Sequence, residues 1–546
     1  MAYNKQTWRN NELPVIGQTP INADRLNHME QGILDAHTGN LTTQAALDAT
    51  TAAVNALPEW DATTGEYTPA SIAAWIKRQR DGKLYGISIP TGLSVACTKT
   101  GANAGIANPT PGVIGTPAVD PYRGVGPFFT ATVNATVDAD GVPHVTAFEG
   151  DANFSRTLND TWVLAPVLFW RWDVSDASAS VLTISDVSRP GFDPQPKAKL
   201  PTGKLRSYML YAKYALSIDA SGTARSVSGA KIKNRNVSHD SLITQCKTAT
   251  TGYAGKSYAD DWYVRAMFLL KYATKDSQSV LAGVTSWDEA APIAVAESGT
   301  TRVIIATSTA ANIPIGSSLV LGSNTKKDRN PPTAYDIFDG LRVTRKETYD
   351  ASNTALYVNA PTAFNTTVGT FVQSVPWGTG ACDAVVGDGS PTSNTVGREP
   401  FVLQGIEMVL GMNEVLGDVI LQSTGSGWQI YTNPDSKNEA ASVTENYVAS
   451  GKYLPSAASD GAQYPLTPSV ANGVLFGEGT GGSTTTGVCD QVWASATTTT
   501  GSREWLSGGN LVNGSSAGLW YTAATRSPAI ADWLIGSRLS AVGRAS

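Results

Sequence analysis

The sequence predicts an α+β protein that is mostly β. Charged residues make up only 16% of the 546 residues, while Gly, Thr, Ser and Ala abound, which favours short strands and turns over long helices. Alternating apolar and polar residues recur between Gly, Pro and Asp turns from about residue 85 onward. Helical spacing is confined to a few stretches, the strongest beginning at Asp260–Asp261. The length accommodates about three or four domains.

Composition also excludes function classes. A net charge of −6 without a Lys/Arg cluster argues against a nucleic-acid footprint. No apolar run approaches the roughly 18 residues of a membrane span, so no membrane insertion is expected. The N-terminus lacks the basic-then-apolar pattern of a secretory signal, so release into the cytosol is expected. Cys97, Cys246, Cys382 and Cys489 contain no C-x-x-C pair and are too sparse for a disulfide scaffold; buried free thiols are expected. Four histidines do not furnish a His-rich metal centre, and neither a metal nor a cofactor is expected.

Residues 1–60 open with Thr7-Trp8-Arg9-Asn10, followed by Pro20-Ile21-Asn22-Ala23-Asp24-Arg25-Leu26-Asn27-His28-Met29-Glu30-Gln31-Gly32-Ile33. This resembles the N-terminal signature of phage tail and fibre proteins, which implies virion attachment. Asn22 is a good N-cap, and Leu26, Met29 and Ile33 share a helical face. The 3-4 alternation continues imperfectly to Leu57, with polar Asn40 at a core position. A short trimeric coiled coil and a lone helix lying on a neighbour both fit that seam. Pro58 ends it.

Residues 61–84 read as a connector, with a short helix opening at Pro69–Ile76 and a solvated basic end at Lys77–Arg80. Within 85–287, Val133–Val137, the turn Asp138–Gly141 and Val142–Thr146 read as a hairpin. That turn resembles the start of a calcium loop but lacks the acidic ligand at loop position 12. Trp162–Trp172 is expected as one buried strand and Ser207–Tyr214 as another. Asp260–Asp261 are expected to cap a helix with Trp262, Ala266, Leu269, Leu270 and Ala273 on one face.

Residues 288–377 read as a small β-domain, either inserted or in series, with strands around Thr301–Ile305, Ile315–Leu321 and Ala355–Val358. Lys326–Pro332 is expected as an exposed loop. In 378–546, Ile406–Leu421 alternates like buried strands, and the Gly/Ser/Thr-rich stretch 478–502 is expected as a surface loop.

The chain closes on Arg503-Glu504-Trp505-Leu506-Ser507-Gly508-Gly509 through Gly536-Ser537-Arg538-Leu539-Ser540. This segment resembles the C-terminal part of phage receptor-binding proteins of the major-tropism-determinant type. The resemblance implies a C-type-lectin-like fold, shared with formylglycine-generating enzymes, whose halves here would be 85–287 and 378–546. In several such proteins the segment is the target of a diversity-generating retroelement. Polar and small residues interleaved with aromatics suit an adaptable recognition surface. On this resemblance the receptor-contact residues are expected to be Asn510, Asn513, Ser515, Ser516, Tyr521, Thr522, Thr525, Arg526 and Trp533. Gly508, Gly509, Gly518 and Gly536 would hold the backbone, and Arg538 is expected to be structural.

Little in the sequence points to chemistry. His239-Asp240-Ser241 sets triad residue types side by side, whereas a triad is assembled from distant positions. Gly477–Gly482 matches G-x-G-x-x-G, but Ser483–Thr486 is a poor helix start. Formylglycine-generating enzymes use a cysteine pair near this end, and Cys489 stands alone. The expectation is therefore a non-enzymatic adhesin on the virion, a homotrimer binding a host surface receptor (protein or glycan) and other tail proteins. The alternatives are a structural baseplate or decoration protein and, ranked last, a surface-degrading enzyme.

Overall fold

The computed structural model describes residues 58–235 and 237–545. The attachment signature and the expected coiled coil fall in 1–57, outside the described residues. The protein is mostly β, with several sheets and, among the described residues, four α-helices.

The strand Tyr208–Ala215 is buried along its whole length. It pairs antiparallel with Thr161–Pro166 on one edge and with the last strand, Arg538–Ala541, on the other. The end of the chain thus completes a six-stranded sheet that also contains the hairpin Ala131–Val137 and Pro143–Phe148. In the hairpin turn, Asp138 Oδ1 accepts the Asp140 and Val142 N–H groups, both at 2.9 Å. That carboxylate is occupied by its own turn.

The apolar run Trp162–Trp172 is two strands rather than one. Thr161–Pro166 belongs to the six-stranded sheet, and Phe169–Asp176 to a five-stranded sheet with Ala179–Ser185 and Tyr85–Pro90. Pro166 offers no N–H to continue the ladder. Val167–Leu168 carries the chain across, with the Leu168 N–H donated to Gln195 Oε1 at 2.7 Å.

The helix Tyr258–Tyr272 lies between sheets and is buried on every side, which is why its apolar residues do not form a single stripe. Its N-cap is Ser257, one turn earlier than the acidic pair suggested. The Ser257 side chain accepts the Ala259 N–H at 3.1 Å, and Asp260 returns by accepting the Ser257 N–H at 2.8 Å. Asp260 therefore closes a capping box rather than caps. Tyr263 stacks on Tyr211, ring centroids 4.2 Å apart, tying helix to sheet.

Within residues 61–84 the expected short helix is present, and the stretch packs on the sheet. A two-stranded ladder pairs Trp60–Asp61 with Glu66–Tyr67, and the helix Pro69–Gln79 follows. Ile72 and Ile76, one turn apart, are fully buried against the six-stranded sheet.

The strands between Ala290 and Val375 pair only with one another among the described residues. Their order is Ala290–Pro292, Phe371–Val375, Ser318–Leu321, Phe338–Thr348, Asn353–Val358 and Arg302–Ala306. A bridge between Val295 and Ile304 brings the two ends of that order together. The loop Lys326–Pro332 is only partly exposed, because Arg329 is buried with its guanidinium 4.9 Å from the Trp533 ring centroid. The stretch 478–502 also differs from expectation. Val488, Cys489 and Asp490 are buried, and Val492–Ala494 pairs in parallel with Thr522–Ala524.

Candidate functional site: the terminal turn

The strand Ser502–Ser507 runs antiparallel to Asn413–Ser423 and to Thr522–Ala524. The chain between 507 and 522 must reverse at one end of this sheet. Gly508 and Gly509 adopt φ of +88° and +79°, and a Cβ on Gly509 would sit 2.4 Å from the Ala517 Cβ.

The side chains of the turn brace it. Asn513 Oδ1 accepts the Asn510 N–H at 2.8 Å, and Asn510 Oδ1 accepts the Val512 N–H at 3.0 Å. Asn513 Nδ2 lies 3.4 Å from the Tyr521 hydroxyl. A single 3-10 turn, Gly514–Ser516, carries Ser515 into solvent. Ser516 is half-buried beside the Tyr464 hydroxyl at 3.4 Å.

The nine predicted contact residues do not form one face. Asn510, Tyr521, Thr522 and Trp533 are buried, and their roles are internal. Asn510 braces the turn, Thr522 lies within the sheet, Tyr521 packs in the core and Trp533 lies against Arg329. Among the rest, Ser515 is exposed, and Asn513, Ser516, Thr525 and Arg526 are half-buried. They fall into two groups separated by the strand Thr522–Ala524, which spans about 10 Å at 3.3 Å per residue. Asn513, Ser515 and Ser516 stand at one end. Thr525 and Arg526 stand at the other, where Arg526 Nη2 pairs with Asp532 Oδ2 at 2.6 Å.

Beneath the turn lies a chain of buried charges that sequence reasoning missed, Arg538 excepted. Lys256 Nζ contacts Asp261 at 2.6 Å and Glu414 at 2.5 Å. Arg265 Nη2 pairs with Asp261 at 3.1 Å, while its Nε donates to the Leu519 carbonyl at 3.0 Å. Ser507 Oγ donates to Asp261 at 2.6 Å. Burial alone raises the Asp261 carboxyl; Lys256 and Arg265 outweigh it and hold the group below its ordinary value. The available signal was a single charge inside an apolar run, as in Val264-Arg265-Ala266-Met267 and Met412-Asn413-Glu414-Val415. Such a charge needs a buried partner.

Asp490 is a different case. Its Oδ2 accepts the Trp520 N–H at 2.8 Å and the Ser277 hydroxyl at 2.7 Å. Burial pushes its carboxyl up to about 8 despite those bonds.

No catalytic arrangement forms from the other motifs. His239 is fully buried and Ser241 is committed to a capping box with Ser238. Gly477–Gly482 begins inside the strand Val474–Glu478, which pairs with Thr467–Ala471, and leads into a turn, not a helix. Burial pushes the Cys489 thiol up to about 12. Among the described residues no group of three or more His, Cys, Asp and Glu could hold a metal ion, and no helix is long and apolar enough to cross a membrane.

The chain matches no protein-family model and no curated protein.

Proposed function

We propose that the protein is a phage tail receptor-binding protein, a non-enzymatic adhesin with a C-type-lectin-like domain and an inserted β-domain at 288–377. On this reading residues 1–60 anchor a homotrimer to the virion, and the terminal turn contacts a receptor on the bacterial surface. The supporting observation is a short polar turn, Asn513–Ser516, projecting from a base of buried ion pairs. Recognition loops held by a rigid scaffold bind with little ordering cost. Three copies would multiply a weak contact through avidity. Diversification by a retroelement fits the same frame at Ser515, which is exposed, and at the half-buried Ser516, whereas Asn513 braces the turn.

The alternative, a structural baseplate or decoration protein, draws on the burial of Asn510, Tyr521, Thr522 and Trp533, which leaves the exposed polar surface smaller than the sequence suggested.

The test is binding of the full-length protein to a panel of candidate host cells, comparing wild type with a Ser515→Trp, Ser516→Ala variant and with a Thr525→Ala, Arg526→Ala variant. Saturable binding abolished only by the first pair supports the turn as the contact. Loss only in the second pair moves the contact to the other end of the strand. Binding unaffected by either removes the terminal segment from receptor recognition, and absence of binding to every cell supports the structural reading.

A further inference from the structure

A cleft of about 720 Å³ opens elsewhere on the molecule and shares no lining residue with the terminal segment. One wall is aromatic, with Tyr67 and Trp75 from the stretch that the sequence presents as a connector, Trp60 just before it and Phe148 from the hairpin. Trp60 and Tyr67 meet edge to face at 5.2 Å, Tyr67 and Phe148 at 4.8 Å, and Phe148 and Trp75 at 5.2 Å. Trp60 is 39% exposed at the cleft.

The rest of the lining mixes apolar residues, among them Phe128, Val385, Val386 and Val402, with polar ones whose carboxylates are already engaged. Asp383 accepts from the Tyr214 hydroxyl and from Ser228 Oγ at 2.5 Å, and lies 3.3 Å from Arg156. Asp120 and Asp388 are both paired to the buried Lys271. Accessible donors come from Arg123, Thr130 and Thr132, with Lys213 and Gln404 buried beneath them. Lys213 Nζ makes one hydrogen bond, to the Gly405 carbonyl at 2.8 Å. The Gln404 side-chain nitrogen is buried without a partner in a residue only 6% exposed.

We propose that this cleft binds a segment of a neutral oligosaccharide. Aromatic faces pack on the C–H faces of sugar rings, while ring hydroxyls accept from and donate to fixed polar groups. That combination matches an aromatic wall in a lining that also carries polar groups. A purely apolar ligand would cover Arg123, Thr130 and Thr132, which line the cleft exposed or half-exposed, with nothing in return. Charge favours neutral sugars: Asp120, Glu149, Asp151, Asp383 and Asp388 in the lining are nearly balanced by Arg123, Arg156, Lys213 and the Lys271 behind them, which leaves no cationic excess to attract an anionic polymer. The cavity lies within the range of sites that enclose most of a small ligand.

The experiment presents full-length protein to an array of immobilised neutral oligosaccharides of hexoses, deoxyhexoses and N-acetylhexosamines, beside uronate-containing counterparts. The expected result is retention of at least one neutral oligosaccharide, weakened tenfold or more by Trp60→Ala at an unchanged melting temperature. Gln404→Ala weakens the same interaction and carries the test if Trp60→Ala melts early. Ser515→Trp leaves it unchanged, which separates this cleft from the terminal turn. Retention of uronate-containing glycans alone overturns the assignment of a neutral ligand. Retention of none, or binding indifferent to both cleft substitutions, overturns the site.

Discussion

Arg538 donates to a single oxygen of Glu414 through two nitrogens, Nε at 3.0 Å and Nη2 at 2.7 Å, with both side chains almost entirely buried. Its remaining donors reach the carbonyls of Ala212 and Glu407 at 3.1 and 2.9 Å. One side chain thus joins the last strand to the strand Asn413–Ser423 and to the pivot strand Tyr208–Ala215. Burial alone raises the Glu414 carboxyl, but Arg538 and Lys256 outweigh it and hold it below its ordinary value. Arg538→Ala strands a buried carboxylate, and the expected loss is about 3–5 kcal/mol. Denaturant unfolding measures it. A loss under about 1 kcal/mol would show that Lys256 alone satisfies Glu414.

Gly518 has φ of +142°, and a Cβ there would lie 2.4 Å from Ser277 Oγ and 2.5 Å from Asp490 Oδ1. Gly518→Ala should destabilise by about 2 kcal/mol or more through overpacking and backbone strain. Gly514, at φ +59° with open space around it, should lose only about 1 kcal/mol on the same change. Comparing the two melting curves separates crowding from strain, and equal shifts would refute the crowding at Gly518.

Glu504 is fully buried, 4.0 Å from His239, with no hydrogen-bond partner for either carboxylate oxygen. Burial pushes its carboxyl up to about 8, against a lowering influence from Arg526 and a raising one from Asp532. The unfolded chain ionises this group near 4.5, so between about 4.5 and 8 the folded state binds more protons. Its contribution to stability therefore falls as pH rises through that window and levels off above about 8. Glu504→Gln removes the term. The variant's stability relative to wild type should climb between about pH 5 and 8, as read from denaturant midpoints. A constant difference across that range contradicts it.

Trp533 joins the core of the 290–375 sheet and sits under the Arg329 guanidinium. Trp533→Ala should cost about 3–5 kcal/mol, reported by thermal unfolding. Unchanged stability combined with lost cell binding would return Trp533 to the role of a contact residue.

Local signals decided much of this protein. Pro69 and the Ile72/Ile76 spacing mark a helix start, and the Ser207–Tyr214 stretch was legible as a strand, although the observed strand Tyr208–Ala215 is buried on both faces. The low charge and frequent turn residues determined a mostly β chain. Arg538 was legible as structural. Beyond that, position in space prevailed over pattern. Only the tertiary structure buried Asn510, Tyr521, Thr522 and Trp533, because a polar or aromatic side chain carries no local record of which face its turn presents. It divided Trp162–Trp172 between two sheets at Pro166, brought Trp60 and Tyr67 beside Lys213 and Asp383 to make a cleft, and set Lys256, Asp261, Arg265, Glu414 and Arg538 in contact across nearly three hundred residues. Periodicity is a property of neighbours along the chain. Ion pairing and burial depend on neighbours in space, and long-range pairing of strands sets those.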